Sequence, residues 1–306
     1  MAPNKVFLSA LSLLLVVLQP SLVESKPLEP PRKHLSNLFQ NLEQSHKGQN
    51  LKGLHLVKQY LKNLGYYPNG VGVTTNDDFD EHLESAIETY QQYYHLNVTG
   101  NLDSYTIEAL SERRCGVPDF FVLDRNLTTN SSKMKFHVQY SFFPNNLKWP
   151  TTKLHLTYSF KSGDGIKVNL ALIRPIVARA YKRWQDISPL TFKEGNSNSN
   201  IKIGFFRRNH GDGKPFDGPG KVYAHAFAPQ DGRVHFDADE PNWKFGDPGL
   251  NEIDFESIAL HEFGHSIGLG HSTIPDAVMY PYYRPGEMRR QITPDDKLGV
   301  HVLYGG

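Results

Sequence analysis

The stretch His261-Glu262-Phe263-Gly264-His265-Ser266-Ile267-Gly268-Leu269-Gly270-His271 decides how the rest of the chain is read. Its spacing predicts a helix that starts near Asp254, whose side chain can cap it, and ends near Gly268. Two histidines four residues apart project from one helix face, so His261 and His265 can bind one zinc ion. Glu262 neighbours the first of them and reaches a water at the metal. Gly268 lets the chain leave the helix sharply, and His271 then swings back as a third ligand. Three protein ligands leave a fourth position open, which is what a catalytic zinc requires. Five specified positions match by chance in a chain of this length on the order of once in ten thousand, far less often than a bare His-Glu-x-x-His.

Around this stretch lies a chain of 306 residues, 39% hydrophobic and 21% charged, long enough for two domains with their own cores. Lys plus Arg number 33 against 32 Asp plus Glu, a formal charge of +1. That balance removes the electrostatic case for a nucleic acid or an anionic membrane as partner. Met1 to Lys5 carry one positive charge, and Val6 to Leu18 form an apolar run of signal-peptide length, with small residues Val23 and Ser25 before a cleavage site after Ser25. The mature protein is therefore expected to be secreted. An exported chain with one cysteine, Cys115, forms no internal disulfide and depends on its core, on metals, or on both.

From His34 to Arg114 the periodicity is helical. Leu51, Leu54, Val57, Leu61 and Leu64 make one apolar stripe, and Phe79, Leu83, Ile87, Tyr90 and Tyr94 make another. Glycine-containing breaks at Gly65 to Gly72 and near Gly100 divide the segment into a bundle of about three helices. Asn-x-Ser/Thr sequons stand at Asn97, Asn126 and Asn130, the last two in a polar stretch read as an exposed, glycosylated linker over 122–139. From about Tyr140 the pattern is mixed. Leu154 to Phe160 alternates as a strand, Val168 to Trp184 has helical spacing, and Ile201 to Phe206, Val222 to Ala228 and Val234 to Phe236 read as strands. A last helix follows Pro294 and runs to about Tyr304, giving an α+β domain over 140–306. A second group of metal-binding types, His210, Asp212, His225 and His235, supplies three imidazoles and a carboxylate, a closed set suited to a structural zinc. Scattered histidines are more often plain surface or core residues.

The eleven-residue motif resembles the metzincin signature, and Met279 in Ala277-Val278-Met279-Tyr280-Pro281 resembles the methionine turn of that clan. Ser272 after the third histidine is similar to the matrixin (matrix metalloproteinase) choice. Arg114-Cys115-Gly116-Val117-Pro118-Asp119 resembles the matrixin cysteine switch, although Arg113 stands where the family usually has Pro. The resemblance implies a twisted, mostly parallel five-stranded sheet with three helices. A helical-bundle propeptide, residues 26–139 and similar to peptidoglycan-binding modules, would precede it. It implies a zinc endopeptidase in which Glu262 is the general base and a Cys115 thiolate fills the open zinc position until cleavage near Tyr140, with Arg114 and Asp119 paired to hold the loop. It assigns His210, Asp212, His225 and His235 to a second zinc. It assigns Asp217, Asp237 and Glu240, with backbone carbonyls at Gly218, Gly220 and Val222, to at least one Ca²⁺; the short Pro229–Arg233 loop argues against a second.

The same resemblance places substrate along Tyr223 and Ala224 and makes Pro281 to Tyr283 the wall of a pocket for an apolar residue after the cut bond. It makes Asp295 the partner of the new N-terminal ammonium. Partners are then protein or peptide substrates and the chain's own propeptide, on a monomer with no membrane anchor. The end at Tyr304-Gly305-Gly306, without a hemopexin-like domain, together with Lys148-Trp149-Pro150, looks most like a plant matrixin secreted to the cell wall space, or apoplast, and its extracellular matrix. The rival reading is a carbohydrate-binding wall protein built on residues 34–112.

Overall fold

The computed structural model describes residues 39–67, 72, 74–120, 140–161 and 169–305. The signal peptide at 1–25, the linker at 122–139, and Asn126, Asn130 and Val168 lie outside the described residues. Asn97 is exposed.

Among the described residues the N-terminal region holds three α-helices, α1 (Leu54–Asn63), α2 (Glu81–Tyr93) and α3 (Ser104–Ser111). Asp80 and Asp103 cap α2 and α3 by accepting from the amides of Leu83 and Thr106, at 2.8 and 2.9 Å. Leu54, Val57, Leu61, Phe79, Leu83, Ile87 and Tyr90 are buried in one shared core, as their periodicity predicts. Leu64 is buried with them and Tyr94 packs against this core partly buried, whereas Leu51 is 36% exposed, because α1 begins three residues after it.

After α3 come two short strands, β1 (Arg114–Cys115) and β2 (Tyr140–Phe142). The α+β region follows as β3 (His155–Lys161), α4 (Leu170–Gln185), β4 (Thr191–Glu194), β5 (Ile201–Phe206), β6 (Val222–Ala226), β7 (Arg233–Asp237), β8 (Trp243–Lys244), β9 (Ile253–Asp254), α5 (Phe255–Ser266), β10 (Leu269–Ser272) and α6 (Pro294–Tyr304). The main sheet runs in the order β1-β6-β7-β5-β3-β4. Only the β6–β7 pair is antiparallel. The expected five-stranded, mostly parallel sheet is therefore present, and Arg114–Cys115 adds a sixth strand at its β6 edge.

The strand expected over Val222 to Ala228 stops at Ala226, two residues short of the expectation. The expected helices at Asp254 and Pro294 form where their caps stand. Asp254 accepts from the Ser257 amide, and Thr293 and Asp296 make a reciprocal capping box.

Every residue of α5 is buried, although His261, Glu262, His265 and Glu256 are among them. Such a helix needs polar partners on all sides. The Trp184 and Trp149 indoles donate to the carbonyls of Leu260 and Ser266, at 2.8 and 2.9 Å, and Arg179 and Arg183 on α4 both pair with Glu256 at 2.6 Å. The Tyr181 ring stacks on Phe263 with centroids 3.9 Å apart. These contacts lock α5 against α4, so the face carrying both histidines is fixed.

Candidate active site

His261 and His265 leave α5 on one face with their Nε2 atoms 3.0 Å apart. Each is aimed by its other ring nitrogen, which donates to a backbone carbonyl: His261 Nδ1 to Val278 at 2.7 Å and His265 Nδ1 to Leu269 at 2.8 Å. Gly268 takes φ +109°, a left-handed conformation that turns the chain out of the helix and into β10. His271 on β10 then comes back beside the other two, with a buried Nε2 that has no hydrogen-bond partner among the described residues. Cys115 Sγ lies 3.4 Å from His265 Nε2, and one ligand atom from each of the four residues falls within 4.8 Å of the others.

Three neutral imidazoles and a sulfur converging on one point, with one ring nitrogen orphaned, are a donor set that fits zinc. Burial pushes all three histidines below the usual imidazole pKa, so they stay neutral and able to bind a cation. Burial, with Glu262 beside it, pushes the Cys115 thiol well up. A divalent cation among these groups is what would reverse that. Glu262 is fully buried, neither carboxylate oxygen has a hydrogen-bond partner among the described residues, and burial pushes its pKa up to about 8.

Met279 lies beneath this cluster. A Cβ on Gly264 would come within 2.3 Å of its sulfur, so the glycine inside the motif is what admits the methionine. Both carboxylate oxygens of Asp296 accept from the turn, at 3.0 Å from the amides of Val278 and Met279. Sequence reasoning missed Gly264 and Asp296. The Thr293-x-x-Asp296 capping box was the available signal for the second.

The segment carrying Cys115 is held from both sides. Arg114 and Gly116 donate their amides to the Lys221 and Ala224 carbonyls on the β6 side, at 2.7 and 2.8 Å. On the other side the Cys115 amide donates to the Pro281 carbonyl, and the Tyr283 amide donates to the Arg113 carbonyl, both at 2.9 Å. Arg114 and Asp119, both buried, form a bidentate pair at 2.5 and 3.0 Å. Burial opposes the Asp119 charge, but Arg114 and a hydrogen bond from His271 hold it below the usual carboxylate range. Tyr66 and Tyr94 donate their hydroxyls to the same carboxylate. Arg113, at the position where Pro is usual, donates to the Tyr223 hydroxyl at 3.3 Å and lies 3.7 Å from Glu240.

The second group closes on Asp212. Its Oδ2 lies 2.8 Å from His210 Nε2, 2.7 Å from His225 Nε2 and 2.8 Å from His235 Nδ1. Burial and the neighbouring His225 push His235 down to about 3. Four donors from one stretch of chain also fit zinc.

Of the residues expected at calcium, Asp217 accepts from the Lys221 and Val222 amides and Glu240 from the Gly220 amide. Asp237 Oδ2 and Glu240 Oε2 are buried without hydrogen-bond partners among the described residues. Burial, with like charges nearby, pushes their pKa values up to about 6 and about 7. The unpartnered Asp237 oxygen, with Glu240 Oε2 facing only the Arg113 guanidinium at 3.7 Å, is a hard donor set that fits a calcium ion. Asp295 accepts from the Ser272 hydroxyl at 2.7 Å, and Ser272 pairs with Tyr140 across β2 and β10.

The matrixin family description matches residues 148–305, and that of a putative peptidoglycan binding domain matches residues 51–110. Metalloendoproteinase 1 of Glycine max is 42% identical over 266 residues, which cover 85% of this chain and 84% of that one. Metalloendoproteinase 2-MMP of Arabidopsis thaliana is 38% identical over 287 residues, 87% of this chain and 74% of its own. Matrix metalloproteinase-16 of Homo sapiens is 37% identical over 262 residues, 81% of this chain and 41% of its own.

Proposed function

The chain belongs to the matrixin family and is a zinc-dependent metalloendopeptidase; from that premise we propose that it is made as a latent proenzyme whose Cys115 thiolate closes the catalytic zinc site. The observation that carries this reading is the position of Cys115, within 4.8 Å of three histidine nitrogens on a segment hydrogen-bonded to both walls of the cleft. The helical region supports it from behind. Tyr90 meets the Tyr282 hydroxyl at 2.7 Å and Tyr94 packs on Tyr282, so this region lies over the wall next to the cleft.

In the active form His261, His265 and His271 hold the catalytic zinc, which supplies Lewis-acid polarisation of the scissile carbonyl and acidifies a water. Glu262 accepts the attacking water's proton at a carboxylate oxygen and delivers it to the leaving amine. Removing the Cys115 segment frees the Lys221, Ala224 and Pro281 carbonyls and the Tyr283 amide, a set of main-chain partners that an extended peptide can use whatever its sequence. Tyr223 and Ala224 lie along this groove, and Pro281 to Tyr283 wall a pocket for an apolar residue after the cut bond. His210, Asp212, His225 and His235 hold a second, structural zinc, and Asp217, Gly218, Gly220, Val222, Asp237 and Glu240 a calcium ion. Cleavage near Tyr140 places the new ammonium close to Asp295. Residues 1–25 support export to the extracellular space.

The Cys115→Ser full-length chain tests this. It is expected to hydrolyse peptides without cleavage before Tyr140, and continued latency in that variant would reject the switch.

A further inference from the structure

The three histidines of the catalytic cluster do not receive their outer support from the same part of the chain. His261 and His265 are held by the carbonyls of Val278 and Leu269, which remain when residues before Tyr140 are removed. His271 is held differently. Its Nδ1 lies 2.8 Å from Oδ1 of Asp119, both side chains are fully buried, and Asp119 belongs to the segment that is removed. Arg114 Nη2 also lies 3.5 Å from this ring nitrogen, but as a donor it cannot take the imidazole proton.

A histidine bonded to a metal through Nε2 carries its proton on Nδ1. A carboxylate accepting that proton fixes the ring and makes it a stronger ligand, and loss of such a partner typically costs about ten- to a hundredfold in metal affinity. A carboxylate–imidazole bond is also shorter and stronger than one to a neutral carbonyl.

We propose that Asp119 is a positioning residue for the catalytic zinc, acting through His271, so that activation removes an outer carboxylate as well as the Cys115 ligand. This rests on the latency reading above but concerns a different atom. Asp119 thus has two tasks: it pairs with Arg114 to shape the loop, and it strengthens a zinc ligand as long as the chain is uncut. The uncut chain is then expected to hold its catalytic zinc more tightly than the cleaved one by more than the Cys115 sulfur alone supplies.

Chelator competition on zinc-loaded, full-length chains separates the two effects, with the His210 cluster as internal control. In a Cys115→Ser background, Asp119→Asn is expected to weaken the catalytic zinc by a further factor of about ten to a hundred. The second zinc stays unchanged. Arg114→Gln in the same background is expected to leave the affinity unchanged or raise it, because the carboxylate is then shared with fewer donors. Equal weakening by both substitutions would show loop loosening and overturn the proposal, as would no change with Asp119→Asn. If Cys115→Ser alone leaves zinc affinity unaltered, the latency reading fails while the Asp119 comparison still stands. A measurement that needs no variant is the proton spectrum of the imidazole N–H groups in the zinc-loaded proenzyme. The His271 signal is expected farthest downfield of the three ligands and to move upfield once the chain is cut before Tyr140. A His271 signal level with those of His261 and His265 would contradict the proposal.

Discussion

The two histidine clusters have the same number of donors and opposite designs. His210, Asp212, His225 and His235 come from one stretch of about 25 residues around β6 and β7, with the three imidazole nitrogens gathered on Asp212 Oδ2. Two of these ligands sit on neighbouring strands, His225 on β6 and His235 on β7, and the other two on the loop that leads into β6. In the other cluster α5 and β10 supply three imidazoles, and the fourth donor is borrowed from Cys115, far upstream on the added strand β1. Under the proposed function, the structural site is closed by its own neighbourhood, whereas the catalytic site is closed by a piece of chain that can be cut away.

The sharpest way to break that contrast is at Glu262, which lies beside one cluster and has no counterpart at the other. Glu262→Ala is expected to keep both zinc ions and lose at least about a hundredfold in peptide hydrolysis, measured on the chain cleaved before Tyr140. Near-normal turnover would remove the general base from the account. His225→Ala addresses the other cluster: metal analysis is expected to fall from two zinc ions to one, with a lower melting temperature, because a metal that binds only the folded state stabilises it. Unchanged metal content would mean that the second group is not a zinc site.

Smaller effects test the support beneath the catalytic cluster. Asp296→Asn disturbs the acceptor of two buried amides at the methionine turn and is expected to cost about 1–3 kcal/mol in denaturant unfolding. Gly264→Ala places a methyl 2.3 Å from the Met279 sulfur and is expected to cost about 1–3 kcal/mol by overpacking. Neither should alter binding at the His210 cluster. A change there would mean that the two sites share their support.

Much of this is legible along the chain because it is local. The His261, His265 and His271 spacing, the Asp254 and Thr293 caps, and the alternation in β3 and β5 all act within a few residues, where periodicity and capping govern. The individual strand pairings are not local, so the sixth strand at Arg114–Cys115 emerges only when β6 offers its edge. The contact of Asp119 with His271 joins residues more than a hundred positions apart. Gly264 reads as ordinary helix until Met279 is seen against it, and Arg113 reads only as a departure from Pro until Tyr223 and Glu240 are found next to it. Leu51 misled because periodicity continues past the point where α1 begins.

The central claim is that a sulfur closes one zinc site and not the other. X-ray absorption at the zinc edge of the fully loaded proenzyme addresses it directly, since a Zn–S distance of about 2.3 Å is distinct from Zn–N and Zn–O distances of about 2.0–2.2 Å. With one sulfur-bearing site of two, the account predicts an average of about half a sulfur per zinc, falling to none after cleavage before Tyr140 and removal of the N-terminal fragment. A first shell without sulfur in the intact, latent chain would contradict it.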